Sequence, residues 1–192
     1  IINGVERVIV PQLARSYGIF FTSNESKGRS YFGAKVIPAR GAWVEIESEA
    51  DGVIYVKIDR KRKFPISSLF RVLGVTEEKD MMKLFKGVEH AEEYLKNTLA
   101  KDPAKTADDS YIEIYRRLRD GDLATVENAR EFVDSIFSPL RYGRSEIGRH
   151  HFNERFGLAT DAKADATRTL TVEDLVTILK NIIELNHTPG SQ

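Results

Sequence analysis

Cysteine is absent from the 192 residues, which excludes disulfides, thiolate metal sites and cysteine nucleophiles. Net charge is absent too, because 29 basic and 29 acidic side chains cancel. No global positive field draws the chain to a polyanion, so any nucleic-acid binding has to come from local clusters. Apolar runs approaching the roughly 20 residues of a membrane span are missing, as is a basic-then-apolar leader. There is no glycine-rich phosphate loop, no nucleophile motif and no aspartate-rich magnesium motif. Repeats and low-complexity segments are lacking as well. What remains is a globular composition, 41% hydrophobic and 30% charged, long enough for one core or for one domain with a piece of another.

Three β-prone runs lie in series at Tyr31–Ile37, Ala42–Glu47 and Gly52–Ile58. Turn chemistry at Pro38–Gly41 and Glu49–Gly52 separates them. Val44 and Ile46 alternate with Trp43, Glu45 and Glu47; Ile54, Val56 and Ile58 alternate with Val53, Tyr55 and Lys57. A period of two with mixed character on one face predicts a half-buried antiparallel meander. Upstream, Asn3-Gly4 is a turn signal and Val5–Val10 reads as a strand. Ala14–Phe21 reads as irregular and Thr22–Arg29 as a polar loop. A turn at the extreme start with no strand before it, and Ile1 where a methionine would stand, suggest a piece of something longer.

After Pro65 the period turns helical. Ile66–Leu73 is a short helix closed by Gly74; Thr76 caps a second, carrying Met81, Met82, Leu84 and Phe85, and Val88–Leu99 is a third. Ala100–Asp108 reads as a linker and marks an internal boundary. Further helices are expected at Asp109–Arg119, at Thr125–Phe137 and at Ser145–Phe156, the last stopped by Gly157. The clearest is Thr171–Leu185, with Leu175, Ile178, Leu179, Ile182 and Leu185 as its stripe. Asn186–Gln192 reads as a polar tail. Strands first and helices after make the fold α+β, an antiparallel meander followed by a helical part.

Two features carry candidate chemistry. Trp43 at a strand start is either rim packing or a platform on which an unpaired base stacks. Lys57–Lys63 holds five basic residues and one acid, and is either a solvated turn or a phosphate contact. Within it Asp59 can orient Arg60 or accept a hydrogen bond from a base. Arg116, Arg117 and Arg119 form a second basic group, either a solvated helix face or a contact with downstream duplex or a sister subunit. His150 and His151 are adjacent and point about 100° apart on a helix, so they cannot ligate one metal from a single face. Glu45 and Glu47 share a strand face with no histidine or cysteine beside them. No catalytic or metal-ligating residue is assigned.

IINGVERVIVPQLARSYGIFF, then KVIPARGAWVEIE and VKIDRKRKFP, resemble the β subunit of bacterial DNA-directed RNA polymerase. The resemblance continues, in the same order, through EIYRRLRDGDLATVENAREFV, RYGRSEIGRHHFNERFGL and LTVEDLVTILKNIIEL. It covers nearly the whole chain. Departures are Ala14 for a histidine, Ser16-Tyr17-Gly18 for Ser-Pro-Gly, and Arg119–Ala124 for a proline-rich turn. The stretch between Leu73 and Ile112 is also shorter than in many members, and the acidic, histidine-bearing segment expected after the last helix is missing.

The resemblance implies that residues 1–14 belong to the edge of the protrusion (β1) domain. Residues 15–192 would form the lobe (β2) domain, with strands at about 15–65 and helices at about 66–188. It implies a non-catalytic jaw of the DNA cleft, facing downstream DNA and the non-template strand. Arg15, Arg40, Trp43, Asp59, Arg60, Lys61, Arg62 and Lys63 would be the DNA-binding set. Arg7 and Val10 would lie at the margin of the rifamycin pocket. No cofactor is implied for this stretch, magnesium belonging to the complete polymerase, whose catalytic aspartates sit on another subunit. Implied partners are DNA, the rest of β, the β′, α and ω subunits, and sigma and elongation factors, with no membrane and a cytoplasmic, nucleoid location. The alternative is a scaffold that docks transcription factors without touching DNA. A stand-alone hydrolase built on His150 or His151 is a third reading.

Overall fold

The computed structural model describes residues 1–26, 28–119, 121, 124–160 and 169–188. Parts of the Arg119–Ala124 turn and the end of the Asn186–Gln192 tail therefore lie outside the described residues. Five antiparallel strands follow one another in sequence order: β1 Gly18–Ser26, β2 Arg29–Ile37, β3 Val44–Ser48, β4 Ile54–Ile58 and β5 Phe64–Pro65. Among the described residues seven helices come after: α1 Ile66–Val72, α2 Glu78–Leu84, α3 Ala91–Lys101, α4 Ala107–Leu118, α5 Val126–Phe137, α6 Glu146–Arg155 and α7 Val172–His187. The α+β order expected from the sequence is the order observed.

Alternation decides which sheet face is covered. Ala34, Val36, Val44, Ile46, Val56 and Ile58 are all within 1% of complete burial and stand opposite one another in the register. The other face carries ion pairs: Lys35 with Glu45 at 3.0 Å, Lys57 with Glu47 at 2.7 Å, and Lys63 with Glu49.

Four expectations are corrected here. Val5–Val10 is exposed and not a strand; an isolated bridge between Ile2 and Val5 closes the Asn3-Gly4 turn, and among the described residues no strand pairs those beyond it. Gly18–Ser26, expected to be irregular and then a polar loop, is a strand paired residue for residue with β2. Its burial falls from buried at Gly18 to exposed at Ser23–Ser26, so composition misrepresents its outer half. Thr76 does not cap α2, which starts one residue further on with Glu77 at the cap. Asn186 belongs to α7 rather than to a tail. Its side chain accepts from Phe32 N–H at 3.0 Å and donates to Ser48 Oγ at 2.9 Å, tying the helix end to two strands.

The expected linker is also stitched into the core. α1 is buried almost all round, including Ser67, Ser68 and Arg71, and buried polar groups need partners. Asp102, 2% exposed, supplies them. It accepts from Ser67, from Ser68 at 3.0 Å and from Arg71 Nη1 at 2.8 Å. It also accepts from Ala104 N–H at 3.0 Å. One carboxylate thus closes α3 against α1 where the composition suggested a boundary. Gly74, at φ 103°, ends α1; its N–H bonds Arg71 O at 3.2 Å, and Val75 N–H bonds Phe70 O at 2.9 Å. Thr106 and Asp109 form a capping box on α4, Thr125 caps α5 and Ser145 caps α6. Between α4 and α5 the Tyr111 hydroxyl donates to Asp134 at 2.8 Å. Burial first, and that carboxylate second, push its pKa up to about 12.

At the far end of α7, His187 stacks on His90 with centroids 3.8 Å apart and planes 13° off parallel. Tyr94 meets the same ring edge-on at 5.8 Å. Burial, then His90 and Arg29, lower the His187 pKa, against the weaker raising effect of Glu93 and Glu89.

Two outcomes follow. Asp102→Asn leaves buried Arg71 with only the exposed Glu78, 3.8 Å away, as counter-charge and should cost about 3 kcal/mol, read as a lower urea midpoint at unchanged m-value; a midpoint within error of the parent would remove Asp102 from the core account. For His187 the folded pKa lies below the unfolded value of about 6.5. Stability is therefore whole above that pH and declines as pH falls through it towards the folded pKa. Urea midpoints followed downward from about pH 7.5 should show this decline, reduced in His187→Gln. An unchanged profile in the variant would assign the decline elsewhere.

Candidate nucleic-acid interface

Antiparallel pairing brings scattered residues to one end of the sheet. Gly18 at the start of β1 faces Ile37 at the end of β2. Val36 faces Val44 at the start of β3, and Val44 faces Ile58 at the end of β4. The segments just beyond these positions hold Arg15, Arg40, Trp43, Asp59, Arg60, Lys61 and Arg62. All but Trp43, which is half-buried, are exposed.

The centre of this end is a tight turn. Lys61 N–H donates to Ile58 O at 3.0 Å, and the two residues between have φ 48° at Asp59 and 59° at Arg60. Positive φ at both inner positions is a type I′ turn, for which Asn-Gly is the usual sequence. Aspartate tolerates the left-handed region, but an arginine there costs roughly 1–2 kcal/mol. Reciprocal bonds hold the turn to β3. Trp43 N–H donates to Asp59 Oδ1 at 2.8 Å, and Asp59 N–H donates to Trp43 O at 2.9 Å. The Arg60 guanidinium then lies 5.4 Å from the Trp43 ring centroid. Trp43, Asp59 and Arg60 line a shallow cleft of about 210 Å³.

A second loop braces the first. Arg40 N–H donates to Gly143 O at 3.1 Å and Gly143 N–H donates to Arg40 O at 2.9 Å. Arg40 Nη2 reaches Pro139 O at 3.1 Å. Gly41, at φ 107°, sits where a Cβ would come within 2.9 Å of Arg141 O and 3.1 Å of Tyr142 Cα. Only glycine fits there. Behind this loop Arg144, fully buried, pairs with Asp174 and donates to Thr169 O at 2.7 Å. Asp174 also accepts from Arg149 at 2.7 Å and from Thr171 N–H at 3.0 Å, as part of the α7 capping box. The Arg144 and Arg149 guanidiniums both lie over the Phe152 ring, 5.0 and 5.1 Å from its centroid. Burial pulls the Arg144 pKa below the usual arginine range, with Asp174 acting in the opposite direction.

Not every residue of the expected set points the same way. Lys63 turns back along the sheet, over the Tyr55 ring at 4.4 Å and into its pair with Glu49. Arg15 lies over Phe20 at 5.4 Å, just before β1. Arg7 and Val10 lie on the exposed segment that precedes it. Arg117 pairs with Glu113 at 2.7 Å, and Arg119 lies 5.0 Å from the Phe132 centroid. His150 and His151 are exposed, with ring centroids 6.2 Å apart. Among the described residues no three histidines, cysteines, aspartates or glutamates gather as a metal site, and no helix is long and apolar enough to cross a membrane. The bracing residues Tyr142, Gly143 and Arg144 were not expected. Their link to Arg40 spans about a hundred positions, and no local pattern encodes it.

The chain is thus an α+β domain that presents one aromatic and a strained cationic turn on a braced sheet end. The chain belongs to the family described as RNA polymerase Rpb2, domain 2, whose model matches residues 15–192. It is 43% identical over 183 residues to the DNA-directed RNA polymerase subunit beta of Clostridium perfringens (strain 13 / Type A), covering 92% of this chain and 14% of that protein. With the subunit beta of Staphylococcus saprophyticus it shares 45% identity over 160 residues, 82% of this chain and 13% of that protein. The chain thus spans about one-seventh of the length of these curated relatives.

Asp59→Ala removes the acceptor of Trp43 N–H and places alanine in the left-handed region, so it should cost about 1–2 kcal/mol. Trp43 is the single tryptophan, so its emission reports the turn directly and should shift to the red. An unshifted spectrum would mean that Asp59 does not hold the indole.

Proposed function

We propose that this chain is a non-catalytic lobe of a bacterial RNA polymerase β subunit, one jaw of the DNA cleft. In this reading it steadies downstream DNA and holds the unpaired non-template strand. The observation that carries the reading is the Trp43–Arg60 stack on a strained turn fixed by Asp59. Strain of this kind persists where the surroundings over-determine it, and it collects at sites of function. Arg60 covers one face of the indole. A base entering the cleft takes the other face or displaces the guanidinium, and base–aromatic stacking contributes about 1–3 kcal/mol per base. Asp59 offers its second carboxylate oxygen to a base edge. Arg60, Lys61 and Arg62 supply phosphate contacts, and Arg15 and Arg40 flank them.

Nucleotidyl transfer, with its magnesium, belongs in this reading to the complete polymerase, and the partners are its other subunits and the factors that dock on it. The charge ladder on the open sheet face supports a smaller cationic surface than the composition suggested. Lys57 and Lys63 are neutralised by Glu47 and Glu49, which leaves the tip of the turn to meet phosphate.

The test is single-stranded DNA affinity over a salt series, on the chain and on polymerase assembled with it. Trp43→Ala should lose about 1–3 kcal/mol of affinity. Lys61→Gln should flatten the log–log salt slope by close to 0.7, the value for one phosphate on a single strand, while Lys63→Gln leaves it unchanged. Equal affinity of the parent and Trp43→Ala in both settings would contradict the reading and favour a scaffold that docks proteins alone.

A further inference from the structure

We propose that the cleft between α2 and α3 is a docking groove for an acidic amphipathic helix of a partner protein. This does not rest on the nucleic-acid reading, because it concerns a surface built from different residues. α2 is seven residues long and buries only Met81. Standing against α3 on so small a contact, it leaves two adjoining clefts between the helices, of about 430 and 680 Å³, both lined by Met82 and Lys83. The two form one groove along α3, whose Glu92, Leu95, Lys96, Leu99 and Ala100 face it at helical spacing. From Glu92 to Ala100 at 1.5 Å per residue the groove is about 12 Å long, room for two turns or so of a second helix.

Its floor is apolar, with Met82 and Val88 half-buried and Ala100 exposed, and a thioether adapts to varied partners. Its rim is cationic. Lys79, Lys83, Lys86, Lys96 and Lys105 stand against Glu78, Glu92 and the neighbouring Asp80. Lys83 pairs with Asp80 at 2.7 Å and Lys96 with Glu92 at 2.6 Å, while Lys105 donates to Leu99 O at 3.1 Å. Lys79 and Lys86 are exposed, and among the described residues neither has a carboxylate partner. In a chain of zero net charge this is a local excess of unpaired positive charge around an apolar slot. A helix with leucine-type residues on one face and carboxylates beside them complements both features. A nucleic-acid backbone would use the lysines and leave the apolar floor bare, so the acidic helix fits better.

The probe is a fluorescent, stapled peptide of about 12 residues, with leucines spaced i, i+3, i+4, i+7 and glutamates elsewhere, beside the same peptide with lysines. Anisotropy is measured on the chain and on polymerase assembled with it. The glutamate peptide should bind and weaken at least fivefold between low and high salt, while the lysine peptide should not bind. Lys79→Glu with Lys86→Glu should weaken the glutamate peptide at least tenfold and admit the lysine peptide. Both sites are exposed, and a circular-dichroism spectrum matching the parent confirms the fold. Equal binding of the two peptides would overturn the proposal. So would no binding at millimolar peptide, or a single-stranded oligonucleotide that needs these lysines where the peptide does not.

Discussion

Arg144 is buried without exposure, and a guanidinium removed from water has to be matched by a carboxylate. The match is Asp174, which sits at the third position of α7 and is already committed to the capping box with Thr171. That double duty makes the start of α7, the loop before α6 and the end of the sheet one mechanical unit. Arg144 fixes Gly143, Gly143 fixes the backbone of Arg40, and Gly41 packs on Tyr142 two residues ahead of Trp43. The indole is therefore aimed by an ion pair on the far side of the loop that braces it. Hydrophobic burial makes the domain; this pair fixes the loop against which the Trp43 end of the sheet stands.

At the opposite end of the sheet a parallel arrangement holds α7 by Asn186 and the His90–His187 stack. The helix is thus pinned at both ends across the apolar sheet face, with Leu175, Ile178, Leu179 and Ile182 buried between. Asp102 plays for α1 and α3 the part that Asp174 plays for α6 and α7. Each is a buried carboxylate that closes two helices through an arginine. The two candidate surfaces lie on what the core leaves over, the loops at one sheet end and the clefts between α2 and α3.

Elements with a strict period were legible in the sequence. β3 and β4 alternate cleanly, and α7 carries an uninterrupted apolar stripe with a cap before it. β1 was not legible, because its outer half leaves the core and its polar residues look like a loop. The Ala100–Asp108 stretch looked like a linker for a related reason, since the burial of Asp102 depends on Ser67, Ser68 and Arg71 more than thirty residues away. At the candidate site the residue types were readable and their direction was not. Lys63 belongs to the same basic run as Arg60, yet the pleat sends it to Glu49. The run marks a type I′ turn only once φ at Asp59 and Arg60 is known, since its usual signal is a glycine that the chain does not have there.

The most direct test of this account is a double-mutant cycle between Asp174→Asn and Trp43→Ala, read as single-stranded DNA affinity under conditions where all four proteins are folded. If the buried pair acts by aiming the indole, Asp174→Asn weakens binding severalfold in the parent and has no further effect once Trp43 is gone. If the two losses simply add, the Arg144–Asp174 pair supports the fold without positioning Trp43, and the chain of contacts through Gly143 and Arg40 does not carry the site.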